Sequence, residues 1–241
     1  MNGLFITFEG TEGSGKSTHI QLLAERLRTM NRTLRVLREP GGTPIGEEIR
    51  HTLKHSQQNH AMTAEAELLL MSASRAQLVR QVIRPALAAG EVVLCDRFCD
   101  STIAYQGYGR RLDLNLVRAV IDFAVGETRP HLTLLLSVPI EVSETRRLAR
   151  QQTMLLDVPV RAKKSEGDAK LVFSEPLRDR MEEADRDFFE RVEHGYKTIA
   201  AAEPRRVCVI DSTQPLEVVK AAVWQRVEPS VAEAPNGLTR R

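Results

Sequence analysis

Five short apolar runs, Leu4–Phe8, Leu34–Leu37, Val92–Cys95, Leu132–Val138 and Val207–Ile210, punctuate the chain, each closed by polar or turn-forming residues. Runs of Val, Leu and Ile with little polar alternation are the pattern of strands covered on both faces of a parallel sheet. Between them lie helical stretches at Ile20–Met30, Ile45–Leu53, Ala64–Ala89, Leu114–Val125, Glu141–Arg150, Glu182–Ala202 and Leu216–Val227. Strand alternating with helix predicts an α/β fold, a parallel sheet flanked by helices. In such a sheet the ligand site lies beyond the carboxyl ends of the strands.

Two stretches break this rhythm. Gln151–Arg178 carries Lys163-Lys164-Ser165-Glu166-Gly167-Asp168 between Pro159 and Pro176. A connection longer than about 12 to 15 residues in a compact domain is either a functional lid or a disordered insertion, and the pattern alone leaves both open. The end of the chain, Glu228–Arg241, holds Pro229, Pro235 and Gly237 with little periodicity, so it reads as a disordered tail. One domain is therefore expected over residues 1–227, with a lid excursion at about 146–182.

Composition narrows the class of partner. The 34 basic residues nearly cancel 32 acidic ones, leaving +2. That balance argues against a nucleic-acid surface or a polybasic membrane patch and favours a small anionic metabolite. No apolar run approaches the roughly 20 residues of a membrane span, and the first residues lack a basic-then-apolar signal pattern, so a cytoplasmic location is expected. Cys95, Cys99 and Cys208 show no metal-binding spacing. Cys95 and Cys208 sit within apolar runs and are expected in the core as small hydrophobes.

The chemistry is announced by Gly10-Thr11-Glu12-Gly13-Ser14-Gly15-Lys16-Ser17-Thr18, set between the first strand and the first helix. The pattern G-x-x-x-x-G-K-[ST] needs Gly10 and Gly15 so that backbone N–H groups can approach a polyphosphate. Lys16 then reaches the β- and γ-phosphates, and the Ser17 hydroxyl takes Mg²⁺. The start of the following helix adds its own attraction for an anion. The third strand ends in Asp96-Arg97 at the same sheet edge. Asp96 suits the nucleotide's Mg²⁺ as a direct or indirect partner. Arg97 suits a phosphate held by two parallel bonds, with a plain surface ion pair as the alternative. The second strand ends at Arg38-Glu39-Pro40-Gly41-Gly42-Thr43, a turn whose glycines permit close approach.

The phosphate loop, the Arg38–Thr43 run and Asp96-Arg97-Phe98-Cys99-Asp100-Ser101-Thr102-Ile103-Ala104-Tyr105-Gln106-Gly107, in that order and spacing, resemble bacterial thymidylate kinases over roughly residues 3–226. The resemblance implies a three-layer P-loop kinase fold with a five-stranded parallel sheet. It also implies transfer of the γ-phosphoryl group of ATP to dTMP with Mg²⁺, and a homodimer through the helices at Ala64–Ala89 and Leu114–Val125. Carried over by position, Arg97 holds the acceptor phosphate with Arg38 nearby, and Glu12 faces the 3′-hydroxyl. Arg75 bonds the thymine edge, Thr102 and Gln106 line the base pocket, and Tyr105 fills the space a ribose 2′-hydroxyl needs.

A charge count extends the site. Lys16 is the loop's one cation, and two phosphate groups in contact need more. Arg146, Arg147 and Arg150 at the base of the excursion are candidates, Arg146 and Arg150 foremost. Members of the family supply lid arginines in this way, and Asp179-Arg180-Met181-Glu182 resembles the segment that closes the lid. For any one of these arginines, a solvated basic helix face is the alternative.

Two features depart from the family pattern. Met71 stands where an aromatic ring usually stacks on thymine; a thioether can lie against a ring too, but base selectivity is less defined. The excursion is also longer than the compact family lid. The competing readings are a kinase of another nucleoside monophosphate and, from a different class, a non-catalytic nucleotide switch. The switch is disfavoured by the lack of an Asn-Lys-x-Asp sequence and of a switch-loop glycine after Asp96.

Overall fold

The computed structural model describes residues 3–56, 58–156 and 185–233, without the side chains of 150–156 and 233. The five expected strands are all present: β1 (Leu4–Glu9), β2 (Leu34–Arg38), β3 (Val92–Asp96), β4 (Leu132–Ser137) and β5 (Val207–Asp211). They form one sheet in the order β2-β3-β1-β4-β5, and every neighbouring pair is parallel. In chain order the helices are α1 (Lys16–Thr29), α2 (Pro44–Lys54), α3 (Ala64–Leu78), α4 (Arg84–Ala88), α5 (Cys99–Thr102), α6 (Leu114–Val125), α7 (Ile140–Leu156), α8 (Arg186–Ala202) and α9 (Leu216–Glu233).

Alternation along β1 divides the core into two sides of the sheet, because successive side chains of a strand point to opposite faces. Leu4, Ile6 and Phe8 meet Ile20, Leu23 and Leu27 of α1 and the Val219, Val223, Val227, Val231 stripe of α9. Phe5 faces the other side, with Leu78, Ile83, Val93 and Ile121 from α3, its continuation, β3 and α6. On that second side Thr7 and Glu9 are also fully buried. Thr7 Oγ1 lies 2.8 Å from Thr133 Oγ1, and Thr133 donates to Asp100, which is paired with Arg206.

Three expectations about the core are corrected. The edge strands β2 and β5 are not covered on both faces: Val36 is 36% and Val209 53% exposed, because each has a strand on one side only. For the same reason Cys208 is only partly buried, whereas Cys95 is buried as expected. The tail does not begin at Glu228, since α9 runs through Pro229 to Glu233. Val227 and Val231 are buried one helical turn apart, and the Val231 carbonyl accepts from Arg32 at 2.6 Å. Burying a valine is worth about 1.5 to 3 kcal/mol, enough for the pair to offset the roughly 3 kcal/mol cost of an interior proline.

Elsewhere the helices depart from their expected spans. Ala64–Ala89 is continuous but passes through a π-helical stretch at Val79–Ile83. The segment after Arg97, quoted above only as a motif, is helical: α5 leads into a π-helical stretch over Ile103–Gly109. The α7 backbone extends six residues into the expected excursion, to Leu156. Its remainder, including Lys163–Lys164 and Asp179–Glu182, lies outside the described residues, as does 234–241. Asp185 caps α8 by accepting from the Phe188 N–H at 2.7 Å, with Arg186 as the helix's first residue; the expected start at Glu182 lies outside the described residues.

Candidate active site

The phosphate loop joins β1 to α1 as the sequence indicates. Gly10 has φ of 134°, and a Cβ there would stand 2.3 Å from the Leu136 carbonyl oxygen, so only glycine fits. Gly15, left-handed at φ 89°, caps α1 and brings no side chain between the first-turn N–H groups and an approaching anion. The loop is braced from outside. Ser143 of α7 donates to the Glu12 carbonyl at 2.6 Å, and Ser212, after β5, donates to the Ser14 carbonyl at 2.7 Å. Thr11 and Ser14 are buried and Thr18 is exposed on the first turn of α1. Lys16 folds back over the loop, donating to the carbonyls of Gly10 at 3.0 Å and Thr11 at 2.8 Å. Burial, with the nearby Arg97 charge, lowers its ammonium to about 8.

The Ser17 hydroxyl donates to Asp96 Oδ2 at 3.0 Å. A hydroxyl and a carboxylate are the hard oxygen donors that Mg²⁺ takes alongside phosphates and water. Among the described residues no group of three or more His, Cys, Asp or Glu side chains is placed to hold a metal. The pair therefore fits a metal carried mainly by a nucleotide.

Immediately beyond, Arg97 adopts a left-handed backbone at φ 69°, uncommon for a side-chain-bearing residue, with its N–H on the Phe8 carbonyl at 2.9 Å. This turn swings the guanidinium into the cleft. There it bonds Glu12 Oε1 (3.1 Å), Ser101 Oγ (3.1 Å), Tyr105 Oη (3.2 Å) and Tyr196 Oη (3.3 Å). Burial alone would raise the Glu12 carboxyl, but the charges of Arg97, Lys16 and Lys54 outweigh it and hold Glu12 down at about 2.

Every residue expected at the acceptor except Arg38 lines one cleft: Glu12, Met71, Arg75, Arg97, Thr102, Tyr105 and Gln106. Arg75 is fully buried, its Nε on Glu39 at 2.8 Å, its Nη1 on Thr102 at 2.8 Å and its Nη2 on the Phe98 carbonyl at 3.0 Å. Those contacts fix the plane of the guanidinium. Gln106 donates to Glu67 at 2.8 Å. Burial pushes the Tyr105 phenol up to about 12, so it stays protonated. Arg38 lies instead beside Ser17 and Asp96 in the adjoining depression, doubly bonded to Glu47 at 2.8 and 3.0 Å.

Of the candidate lid arginines, Arg146 reaches the loop itself, donating to the carbonyls of Gly13 (3.3 Å) and Ser212 (3.1 Å). The Arg147 guanidinium lies 5.4 Å from the Phe189 ring centre. The Arg150 side chain lies outside the described residues.

The sequence reading missed Glu9, Lys54 and Tyr196. Glu9 had a signal, an acid ending an apolar strand just before the phosphate loop; it is fully buried and bonded to Ser101 and Tyr196. Burial, with the Asp100 charge, raises it to about 7. Lys54 and Tyr196 reach the site from the end of α2 and from α8, and no local pattern marks either.

A phosphate-binding loop and an arginine-lined cleft sharing one sheet edge define a P-loop enzyme of the kind that moves a phosphoryl group between two phosphorylated molecules. Comparison with known proteins narrows the class. The family model described as thymidylate kinase matches residues 8–223, and the chain belongs to that family. It is 43% identical over 220 residues to the thymidylate kinase of Syntrophotalea carbinolica, covering 91% of this chain and 93% of that one. With the enzyme of Pseudomonas entomophila identity is 42% over 237 residues, 98% and 100% of the two chains. The crystal structure of thymidylate kinase from Ehrlichia chaffeensis superposes with a TM-score of 0.68 at 30% identity, covering 94% of this chain and 98% of that one.

Proposed function

We propose that this protein transfers the γ-phosphoryl group of ATP to dTMP, giving ADP and dTDP. The observation that carries the reading is that Glu12, a phosphate-loop residue, forms part of the acceptor cleft and pairs there with Arg97. Donor and acceptor sites thus share a wall, as direct transfer between two bound nucleotides requires.

The residues then divide the work. The loop from Gly10 to Thr18 holds the ATP phosphates, with Lys16 turning from the loop carbonyls toward the β- and γ-oxygens. Ser17 and Asp96 would hold Mg²⁺, which supplies charge neutralisation on the phosphates when bound. Arg97 takes the acceptor phosphate, and its four side-chain partners hold the guanidinium in place beforehand. Glu12, ionised throughout the working pH range, accepts from the 3′-hydroxyl. Arg75, Thr102 and Gln106 face the thymine edge, Met71 lies against the ring, and Tyr105 occupies the room of a 2′-hydroxyl. Arg146 braces the loop, and Arg150 neutralises charge on the transferring group.

Three further assignments go with this reading. A homodimer is supported by apolar residues that α3 and α6 leave exposed: Leu69 (59%), Leu116 (55%) and Phe123 (84%). Among the described residues no helix is long and apolar enough to cross a membrane, and we place the enzyme in the cytoplasm. Its partners are ATP and dTMP and no nucleic acid. Met71 is the one observation that favours a second reading, a kinase of another nucleoside monophosphate. The test is ADP formation from Mg-ATP with dTMP, dUMP, UMP, CMP or no acceptor: fastest turnover with dTMP is expected, and a higher kcat/KM for a different acceptor overturns the assignment.

A further inference from the structure

Glu9 ends β1 one residue before the phosphate loop, yet its carboxyl turns away from the loop into the second side of the core. Four donors converge on it. Oε1 accepts from the backbone N–H of Phe98 at 2.8 Å and of Ser101 at 3.3 Å, both in the segment that follows the left-handed Arg97. Oε2 accepts from the Ser101 hydroxyl at 2.5 Å and the Tyr196 hydroxyl at 2.8 Å. Those same two hydroxyls are the acceptors for Arg97 Nη1, at 3.1 and 3.3 Å.

A hydroxyl has one proton to donate and lone pairs to accept with. With both protons directed at Glu9, Ser101 and Tyr196 can present only lone pairs to Arg97, as a guanidinium with no acceptor of its own requires. The geometry points to Glu9 as a positioning residue for the acceptor: it orients Ser101 and Tyr196, and through them holds the Arg97 guanidinium ready for the acceptor phosphate. The inference rests on the assignment of Arg97 to that phosphate.

The arrangement depends on the ionised form of Glu9, which accepts at both of its oxygens. Glutamine has the size of glutamate but carries an NH₂ at one end. Facing the backbone, that NH₂ meets the Phe98 and Ser101 N–H groups, donor against donor. Facing the hydroxyls, it reverses their protons toward Arg97, again donor against donor. Neither orientation keeps both the turn and the guanidinium in place, and unmatched buried polar groups are costly. The loop's bonds to Ser143 and Ser212 do not involve Glu9.

The test is binding of dTMP alone and of ADP alone to wild type, Glu9→Gln, Tyr196→Phe and the double variant by calorimetry, with kcat and KM measured in parallel. Glu9→Gln is expected to raise the Kd of dTMP about tenfold or more, the cost of one mispaired charge-assisted bond, with ADP affinity within about twofold. Tyr196→Phe is expected to weaken dTMP severalfold and to add little in the Glu9→Gln background, since residues acting through one contact are not additive. Unchanged dTMP affinity in Glu9→Gln, equal weakening of both ligands, or fully additive effects would overturn the inference. If Glu9→Gln does not fold, Tyr196→Phe alone decides, and wild-type dTMP affinity in it counts against the inference. Wild-type protein that fails to bind dTMP overturns the functional reading as well, which separates the two failures.

Discussion

Arg97 Nη2 stands 3.1 Å from Glu12 Oε1, so the guanidinium of the acceptor cleft and the acid of the phosphate loop form one ion pair across the line between the two substrates. On the proposed assignment, the acceptor phosphate is drawn to the same cation that holds Glu12, so that one side chain sets both anions. Arg97→Ala is therefore expected to weaken dTMP by on the order of 1.5 to 3 kcal/mol, the range for hydrogen bonds to charged groups, with a smaller loss for ATP. Separate titrations with each nucleotide check this, and equal losses would assign Arg97 a structural role.

The same pair makes a statement about acid stability. Glu12 titrates near 2 in the folded chain against an ordinary 4.5, because Arg97, Lys16 and Lys54 outweigh its burial. A carboxyl with a lowered folded pKa stabilises the fold fully above the unfolded value and loses that contribution as pH falls from about 4.5 to about 2. The Tm difference between wild type and Glu12→Gln should accordingly shrink across that window and stay level from pH 5 to 7. A difference independent of pH would show that Glu12 does not feel those charges.

Tyr105 has two jobs in the cleft, a ring that occupies space and a hydroxyl that accepts from Arg97. They separate by substitution. Tyr105→Phe is expected to weaken dTMP while keeping the preference for a deoxy acceptor. Tyr105→Ala is expected to raise kcat/KM for the ribonucleotide acceptor relative to dTMP. An unchanged ratio in Tyr105→Ala would remove the steric role.

The sheet was legible because buried parallel strands are continuous apolar runs, and the phosphate loop because its glycines are required by geometry such as the 2.3 Å approach at Gly10. What was not legible depends on distance along the chain. Arg38 and Arg97 both stand at the carboxyl ends of strands and look alike in sequence. Only the packing shows that Glu47, nine residues after Arg38, holds it outside the acceptor cleft. Tyr196 lies 99 residues from Arg97, and no local pattern records that contact. At Pro229 the local signal for a helix end was overruled by burial of Val227 and Val231, a tertiary effect. Glu9 was visible as an acid in an apolar strand, but its four donors come from two distant segments.

The arginines of α7 are expected to differ in kind. Arg146 bonds the Gly13 and Ser212 carbonyls, so Arg146→Ala should loosen the loop and raise KM for ATP. Arg150 is assigned to the transferring group, so Arg150→Ala should lower kcat by at least roughly a hundredfold with little change in KM for dTMP, as for arginines that stabilise phosphoryl transfer. Deleting Lys163–Lys170 should leave turnover near wild type. Wild-type kcat in Arg150→Ala together with an inactive deletion would move the working part of the excursion to that segment.

The central claim is direct transfer of a phosphoryl group between two nucleotides held at one sheet edge, and it is tested by following the label from ATP marked at the γ-phosphate. Mixed with excess dTMP and Mg²⁺ in a single turnover, wild-type protein is expected to place the label in dTDP, with none released as inorganic phosphate ahead of it. Lys16→Ala, folded by circular dichroism, is expected to leave the label in ATP, because it removes the charge assigned to the β- and γ-phosphates, while the bonds it loses are to the loop and not to the core. Label released as inorganic phosphate, or transfer by Lys16→Ala within tenfold of wild type, would contradict the account.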